Sequence, residues 1–293
     1  MEAYNDVFSD IVNVLLFDGE EVIKAGDLEE HAPRSTYRAD GKYREMERDV
    51  AKRWNKEKIR LACIGFENQS ESDADMPLRV IGYDGAEYRA QLKDKTQKER
   101  YPVLTLVLYL GEERRWKHSL SLVGCLNIPD KVKPYICDYR INLFEIAYLD
   151  PEKVKLFKSD FGIVADYLVQ KQRTGTYVGN RKALEHAQET LALMSAMTGD
   201  SRFEETVNEA KREGGKEINN MCEVLDRIEA RGEERGILIG EARGRAEGRA
   251  EGKAEGAFQI LSGLVKDGLI SLGEAVKRLG MSEEEFKRKI AEL

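Results

Sequence analysis

The sequence predicts an α/β fold followed by a mostly helical C-terminal region, and three features support this prediction. The chain opens with an amphipathic helical pattern over Asn5–Phe17. Two apolar runs of strand length, 59–66 and 102–110, are separated by a further helical pattern. From Glu152 onward the patterns are helical, which places a soft domain boundary near residue 150.

Composition limits the class of protein. The chain has 293 residues, of which 41% are hydrophobic and 34% charged, and its formal net charge is −7. This length suits one main domain with a smaller addition, and the high charged fraction indicates long exposed helices. Because the chain is acidic overall, a nucleic-acid site would have to be a local basic patch.

The four cysteines, Cys63, Cys125, Cys137 and Cys222, are too far apart for a paired zinc motif or a disulfide framework. The sequence has no signal-peptide pattern and no apolar run long enough to cross a bilayer. We therefore expect reduced thiols in a soluble, cytoplasmic protein.

The first elements follow from local patterns. Apolar residues at helical spacing define the first helix, with Asn5 and Asp6 as expected capping residues. The polar segment 55–58 predicts the turn of a β-hairpin whose second strand is the apolar run 59–66. A strand that is rich in β-branched and other apolar residues suits burial on both faces.

This hairpin strand is followed by polar residues. Because side chains alternate along a strand, Glu67 and Gln69 would project from one face and Asn68 from the other. A Glu at the end of a buried strand is costly unless a positive group meets it. A divalent metal ion held jointly with Asp49 would supply that charge; the alternative is a strand that simply ends in solvent.

A second helix and two more strands are predicted next. The helix opens at Met76 with Pro77 near its first turn, and Arg79 and Tyr83 share a face because they are four residues apart. The run 102–110 is the most strand-like in the chain. The run 139–148 predicts a further strand.

The C-terminal half divides into helical segments. Helices are predicted over 154–172, 181–198 and 203–230. In 236–256 a glycine recurs at every fourth position, and from Gly244 onward a basic residue, an alanine and a glutamate fill the three positions between. Like charges four apart and repeated glycines make a poor isolated helix. We expect a self-associating stalk, or alternatively a solvated linker.

The last segment, 257–293, is predicted to be a compact helical module. Its final helices, over 274–290, have the proportions of a helix-turn-helix, with Ser282 as an N-cap. The would-be recognition helix begins with the acidic run 283–285, which would repel phosphate. This favours a capping or docking module over a DNA-reading one.

Several segments, in order, resemble the recombination-promoting nuclease and transposase (Rpn) family of the PD-(D/E)XK nuclease superfamily. They are NDVFSDIVNVLLFDGEEVI, FENQ, MPLRVIGYD, YPVLTLVLYLG and YRINLFEI, and the glycine-periodic tail is also similar. The resemblance covers about 1–150 and implies a restriction-endonuclease-like core there: a helix, a mixed sheet of about four strands and a crossing helix. The remaining divisions would be a helical region over 151–235, the stalk or linker over 236–256 and the module over 257–293.

The resemblance also implies site residues. Asp49 and Glu67 would be metal carboxylates and the Asn68 carbonyl a further ligand, with Mg²⁺ as the ion and Mn²⁺ or Ca²⁺ as alternatives. Gln69 stands where the superfamily more often has Lys, so it could orient water or contact phosphate but could not act as a proton shuttle. Asp10 or Asn13 could add a ligand.

Phosphate contacts are expected beside these carboxylates. Arg79 and Tyr83 are candidates; alternatively Tyr83 packs in the core and Arg79 pairs with Glu67. The segment 42–60 has eight basic and four acidic residues, a net charge of +4, and includes Lys52 and Arg53. Such a basic segment provides a path for a DNA backbone, although it could be an ordinary solvated surface.

The sequence therefore predicts a Mg²⁺-dependent deoxyribonuclease linked to DNA recombination or mobile elements, homo-oligomeric through its helical tail. The alternatives are a catalytically degenerate DNA-binding protein and an oligomeric interaction protein that acts through its tail.

Overall fold

The computed structural model describes residues 1–30, 34–39, 42–47, 50–56, 59–65, 73–93, 99–212 and 218–291, with backbone alone at 34–39, 42–47 and 60–65. The described chain is of the α/β class, as predicted, and divides into two compact units, Met1–Ile228 and Glu229–Leu293. None of the helices in these ranges has the length and apolar character needed to cross a membrane.

The helices, in chain order, are α1 (Asn5–Phe17), α2 (Met76–Lys93), α3 (Leu122–Cys125), α4 (Pro151–Val154), α5 (Phe161–Thr174), α6 (Ala187–Thr198), α7 (Arg202–Arg212), α8 (Met221–Lys266), α9 (Leu272–Leu279) and α10 (Glu283–Ala291). The strands are β1 (Leu28–Glu30), β2 (Arg34–Ala39), β3 (Lys42–Glu47), β4 (Val50–Trp54), β5 (Ile59–Gly65), β6 (Val103–Tyr109) and β7 (Asn142–Glu145).

Among the described residues the main sheet has five strands, in the order β1-β4-β5-β6-β7, and β2 pairs with β3 in a separate two-stranded sheet. Strands β1, β4 and β5 are antiparallel neighbours, whereas β6 is parallel to both β5 and β7. The β4–β5 pair is the predicted hairpin. Helix α2 connects the parallel strands β5 and β6, since parallel neighbours need a crossover.

Alternation along β6 divides the main unit into two layers of core. Leu106 and Leu108 belong to the large core cluster that contains Phe8 of α1 and Phe161 of α5. Val107 points to the opposite face of the sheet, where a smaller cluster contains residues of α2. The sheet is thus covered by α1 and α5 on one face and by α2 on the other.

Helix α1 has the predicted bounds, but its predicted capping is wrong. The N-cap residue is Tyr4, which makes no side-chain capping bond. Asn5 instead donates from Nδ2 to the Leu28 carbonyl at 3.0 Å, and Asp6 Oδ2 lies 2.9 Å from His186 Nε2. Both side chains are engaged by partners from distant parts of the chain, which local capping preferences do not take into account.

Several other predicted elements are shorter in the structure. The helix predicted over 181–198 is α6, which begins only at Ala187, and the helix predicted over 203–230 is divided between α7, which ends at Arg212, and α8, which begins at Met221. The run 139–148 forms only the four-residue strand β7, followed by a 3₁₀ turn over Ile146–Tyr148 that buries Ile146 and Ala147. The helix predicted over 154–172 is α5, which begins only at Phe161. Asp160 is the N-cap residue of α5, but its carboxylate makes no capping bond to the helix and instead accepts from the Glu185 and His186 main-chain N–H groups.

The glycine repeat lies within the 46-residue helix α8. At its start the charges are complementary rather than repulsive, because Arg245 bonds to Glu241 at 2.6 Å and Arg243 bonds to Glu247 at 2.7 Å. These pairs add to the like-charged rows that the sequence places four apart at 245, 249 and 253 and at 247, 251 and 255. Such exposed pairs add only a few tenths of a kcal/mol each, roughly 0.3–0.5.

The second unit has its own small core of Phe258, Ala275, Val276 and Phe286. The predicted N-cap at Ser282 is confirmed as a reciprocal capping box. Glu285 N donates to Ser282 Oγ at 3.2 Å, and Ser282 N donates to Glu285 Oε2 at 3.0 Å.

Candidate functional site

Four of the predicted site residues lie outside the described residues: Asp49, Glu67, Asn68 and Gln69. The described parts of the site are therefore strand β4 and helix α2 with their side chains, together with the backbone of strand β5.

Arg79 and Tyr83 lie on α2 in quite different environments. The Arg79 side chain is 44% exposed, and its Nη1 donates to Asp73 Oδ2 at 2.9 Å. Tyr83 is only 7% exposed and belongs to the core cluster beneath α2. Burial lowers the pKa of Arg79, but hydrogen bonds with Asp73 and Tyr83 outweigh it and raise that pKa above its ordinary value. Tyr83 packs in the core and also supports the Arg79 charge.

Lys52 lies in the protein interior. It is 2% exposed, its Nζ donates to the Ala3 carbonyl at 2.5 Å, and the same Nζ lies 3.6 Å from Glu30 Oε1. Lys52 thus connects the segment before α1 to the β1–β4 edge of the sheet. The Lys52 ammonium is therefore bound inside the fold, and its predicted contact with phosphate stays a prediction.

Arg53 is the neighbouring residue and points to the other face of β4. Its guanidinium lies over the Tyr101 ring, 5.7 Å from the ring centroid. Its Nε is buried and has no hydrogen-bond partner among the described residues. Tyr101 is itself bonded to Glu87 of α2. On the face of the sheet that α2 covers, the Arg53 guanidinium therefore stacks on the Tyr101 ring.

The inward face of α2 contains polar residues that the sequence prediction did not single out. Asp84, Glu87 and Gln91 are 2%, 6% and 3% exposed. Thr105 Oγ1 donates to Asp84 Oδ1 at 2.6 Å, and Gln91 exchanges two hydrogen bonds with the Tyr101 main chain. The only signal in the sequence was their spacing, since 84, 87 and 91 recur at helical intervals.

Asp10 and Asn13 of α1, weighed as further ligands, both hold main chain. Asp10 accepts from the N–H groups of Lys158 and Ser159 at 2.7–3.0 Å. Asn13 brackets Ile23: it donates to the Ile23 carbonyl at 2.8 Å and accepts from the Ile23 N–H at 2.9 Å. These bonds fix the loops that follow α1 and α4.

The mixed sheet with helices on both faces makes this an α/β protein, and comparison identifies its family. Residues 19–195 match the family model described as "Putative transposase, YhgA-like". The chain belongs to this family, which confirms the resemblance drawn from the sequence. A search of curated proteins and a search of solved structures each found no match.

Proposed function

We propose that this protein is a metal-dependent DNA endonuclease that hydrolyses phosphodiester bonds with little sequence specificity. The observation that carries the proposal is the order of elements. It runs through α1, the antiparallel strands β1, β4 and β5, helix α2, and then β6 parallel to β5. This is the order expected for a restriction-endonuclease-like core. The family description adds a link to mobile DNA elements.

The sequence positions of the proposed metal ligands support this reading. Asp49 directly precedes Val50, the first residue of β4, and Glu67 comes two positions after Gly65, the last residue of β5. Val50 pairs with Cys63 across the hairpin. Two carboxylates and the Asn68 carbonyl are hard oxygen donors, which fit Mg²⁺, with Mn²⁺ or Ca²⁺ as substitutes.

A bound Mg²⁺ would polarise the scissile phosphate and lower the pKa of a coordinated water. Gln69 would orient the attacking water by hydrogen bonds, because an amide carries no charge and cannot accept a proton in this range. Arg53 would bind a phosphate oxygen, and its stacking on Tyr101 would hold the planar guanidinium in place.

Arg79 and Tyr83 take different roles in this proposal. A guanidinium has five donors, so Arg79 can bind phosphate while it remains bonded to Asp73. Tyr83 is a positioning residue, since it is buried and supports Arg79 from below.

The test is a nicking assay on supercoiled plasmid with Mg²⁺, Mn²⁺ or Ca²⁺. Wild type is compared with Asp49→Ala, Glu67→Ala and the exposed control Glu20→Ala. We expect each of the first two substitutions to reduce nicking roughly 100-fold or more, because charge stabilisation of several kcal/mol depends on the ion. Glu20→Ala should cut like wild type.

Nicking that survives both Asp49→Ala and Glu67→Ala contradicts this assignment. DNA binding without nicking by the wild type would favour the catalytically degenerate DNA-binding protein, for which the uncharged Gln69 is the main support. If the wild type shows neither DNA binding nor nicking, the result would favour a protein that acts through its helical tail.

We also propose that the chain forms a homo-oligomer through 236–256. Three consecutive large apolar residues at the start of this segment, Ile237, Leu238 and Ile239, are 62%, 59% and 68% exposed. A Cβ added to any glycine from Gly236 to Gly256 meets nothing within 4 Å, so a second helix could approach closely.

Light scattering tests this assembly. We expect two variants to contain fewer subunits per particle than the full chain does. One lacks 236–256, and the other is the triple variant Ile237→Ser, Leu238→Ser, Ile239→Ser. Leu269→Ser is the matched control, because Leu269 is 69% exposed and lies outside the repeat. A deletion variant that keeps the full-length oligomeric state would refute the proposal.

A further inference from the structure

A second group of metal-ligating side chains lies where the first turn of α1 meets the residues before α6. It consists of Asp6, Glu185 and His186. Each offers one ligand atom, a carboxylate oxygen or an imidazole nitrogen, and these atoms all lie within 4.8 Å of one another. The group uses none of the residues of the proposed nuclease site.

The imidazole is held in a fixed orientation. The ring of Tyr4 stacks on the ring of His186, with centroids 3.9 Å apart and an interplanar angle of 20°. The Tyr4 hydroxyl donates to Glu189 Oε1 at 3.0 Å, which anchors the stacking ring to α6. His186 Nε2 is thereby directed at Asp6 Oδ2, 2.9 Å away.

The main chain that carries Glu185 and His186 is fixed by the buried carboxylate of Asp160. Asp160 is 1% exposed. It accepts hydrogen bonds from the N–H groups of His186 at 2.6 Å and Glu185 at 3.0 Å. Thr190 adds a bond to the same carboxylate at 3.3 Å. Such support for the backbone pre-organises adjacent ligand side chains.

The separation of the two closest donor atoms suits a metal ion. Two donors that each lie about 2.0–2.1 Å from an ion, and 2.9 Å from each other, subtend roughly 90° at it. That angle is the one between neighbouring ligands in six-coordinate, octahedral geometry. An ion can therefore take the place of the hydrogen between these two atoms once the imidazole turns to direct the Nε2 lone pair at it.

The remaining coordination positions have access to water. Asp6 and Glu185 line a cleft of about 280 Å³ that Asp10, Lys24 and Lys158 also border. Asp10 is not available as a ligand, because its oxygens accept main-chain bonds from Lys158 and Ser159. The Lys158 ammonium lies 3.4 Å from Glu21, so its charge is partly balanced within the cleft.

We propose that Asp6, Glu185 and His186 bind a divalent first-row transition metal ion, such as Ni²⁺ or Zn²⁺, with waters from the cleft completing its coordination. An imidazole ligand favours such ions over Mg²⁺, which prefers oxygen donors alone. The ion would tie the start of α1 to the start of α6 and stabilise the fold in proportion to its affinity.

Calorimetric titration of the full-length protein with NiCl₂ tests this site. Excess MgCl₂ is present so that Mg²⁺ fills any site made of oxygen donors alone and Ni²⁺ binding there does not contribute to the signal. We expect one equivalent of Ni²⁺ to bind to wild type, binding to be lost in His186→Gln, and affinity to fall at least tenfold in Glu185→Gln. His118→Gln is the matched control, since it removes an imidazole elsewhere and should bind as wild type does. Ni²⁺ should raise the Tm of wild type and His118→Gln but not that of His186→Gln.

Glu185 keeps this test decisive if His186→Gln folds poorly. Its side chain is exposed, so Glu185→Gln should fold normally, as circular dichroism can verify. Wild-type Ni²⁺ affinity in folded Glu185→Gln would overturn the three-ligand site. Unchanged binding in His186→Gln, or no Ni²⁺ binding by wild type, would also overturn it.

Discussion

Thr105 Oγ1 donates a 2.6 Å hydrogen bond to Asp84 Oδ1, and both residues are 2% exposed. Tyr139 donates to the other carboxylate oxygen of Asp84. One buried side chain thus joins α2 to β6 and to the segment before β7. A buried polar group is costly when it is left unpaired. Loss of the Asp84 carboxylate should therefore weaken the attachment of α2 to the sheet and lower the stability of the protein.

Replacing Asp84 with Ala should lower the free energy of unfolding by about 2–4 kcal/mol, because it leaves the Thr105 and Tyr139 hydroxyls without this acceptor. Urea denaturation followed by circular dichroism measures the change. Arg89→Ala, an exposed substitution on the same helix, should stay within about 0.5 kcal/mol of wild type. Equal stabilities for the two variants would argue against a structural role for Asp84.

Lys52→Met should lower the free energy of unfolding by about 1–3 kcal/mol, since Met fills the space of the aliphatic stem but leaves the Ala3 carbonyl unpaired. Lys56→Met is the exposed control on the same hairpin. The same denaturation experiment applies. If Lys52 instead served mainly as a phosphate contact, the substitution would weaken DNA binding and leave stability unchanged.

Arg53→Gln should weaken DNA binding and reduce the slope of log affinity against log salt by about 1, as expected for the loss of one phosphate contact. Fluorescence anisotropy with a labelled duplex at several NaCl concentrations gives both quantities. Arg173→Gln, an exposed substitution on α5, should leave the slope as it is. An unaltered slope in Arg53→Gln would remove Arg53 from the proposed DNA surface.

The stability of the protein should fall as the pH rises from about 10 to about 12. Burial, followed by the charges of Glu112 and Asp200, raises the pKa of Tyr167 to about 12, against about 10 in an unfolded chain. The folded state therefore keeps this proton where the unfolded state releases it. The resulting stabilisation is complete below pH about 10 and is lost as the pH approaches about 12.

Urea denaturation across this pH range checks the Tyr167 prediction. Tyr167→Phe should show a smaller loss of stability between the two pH values than wild type does. Tyr135→Phe is the control, because Tyr135 is 85% exposed. The prediction fails if both variants follow the wild-type pH profile.

Several elements could be predicted from the sequence because their signals are local. Helix α1 spans the predicted Asn5–Phe17, strand β6 lies within the predicted 102–110, and the capping box at Ser282 forms as expected. Apolar periodicity and capping patterns act over a few residues, so they can be read without knowing the rest of the fold. The ordered motifs also identified the family.

The candidate site was less predictable because it depends on partners distant in sequence. Lys52 and Arg53 look alike as neighbouring cations, yet strand alternation buries Lys52 against Ala3 and places Arg53 over Tyr101. Asp49 and Glu67, which lie outside the described residues, stay predictions.

By itself, the sequence determined where most helices and strands form and to which family the chain belongs. Only the tertiary structure decided which polar groups are buried, such as Asp84 against Thr105, and which meet to form a site, such as Asp6 and His186. The physical reason is that local pattern fixes a segment's conformation, whereas the cost of burying a polar group depends on partners supplied by remote segments.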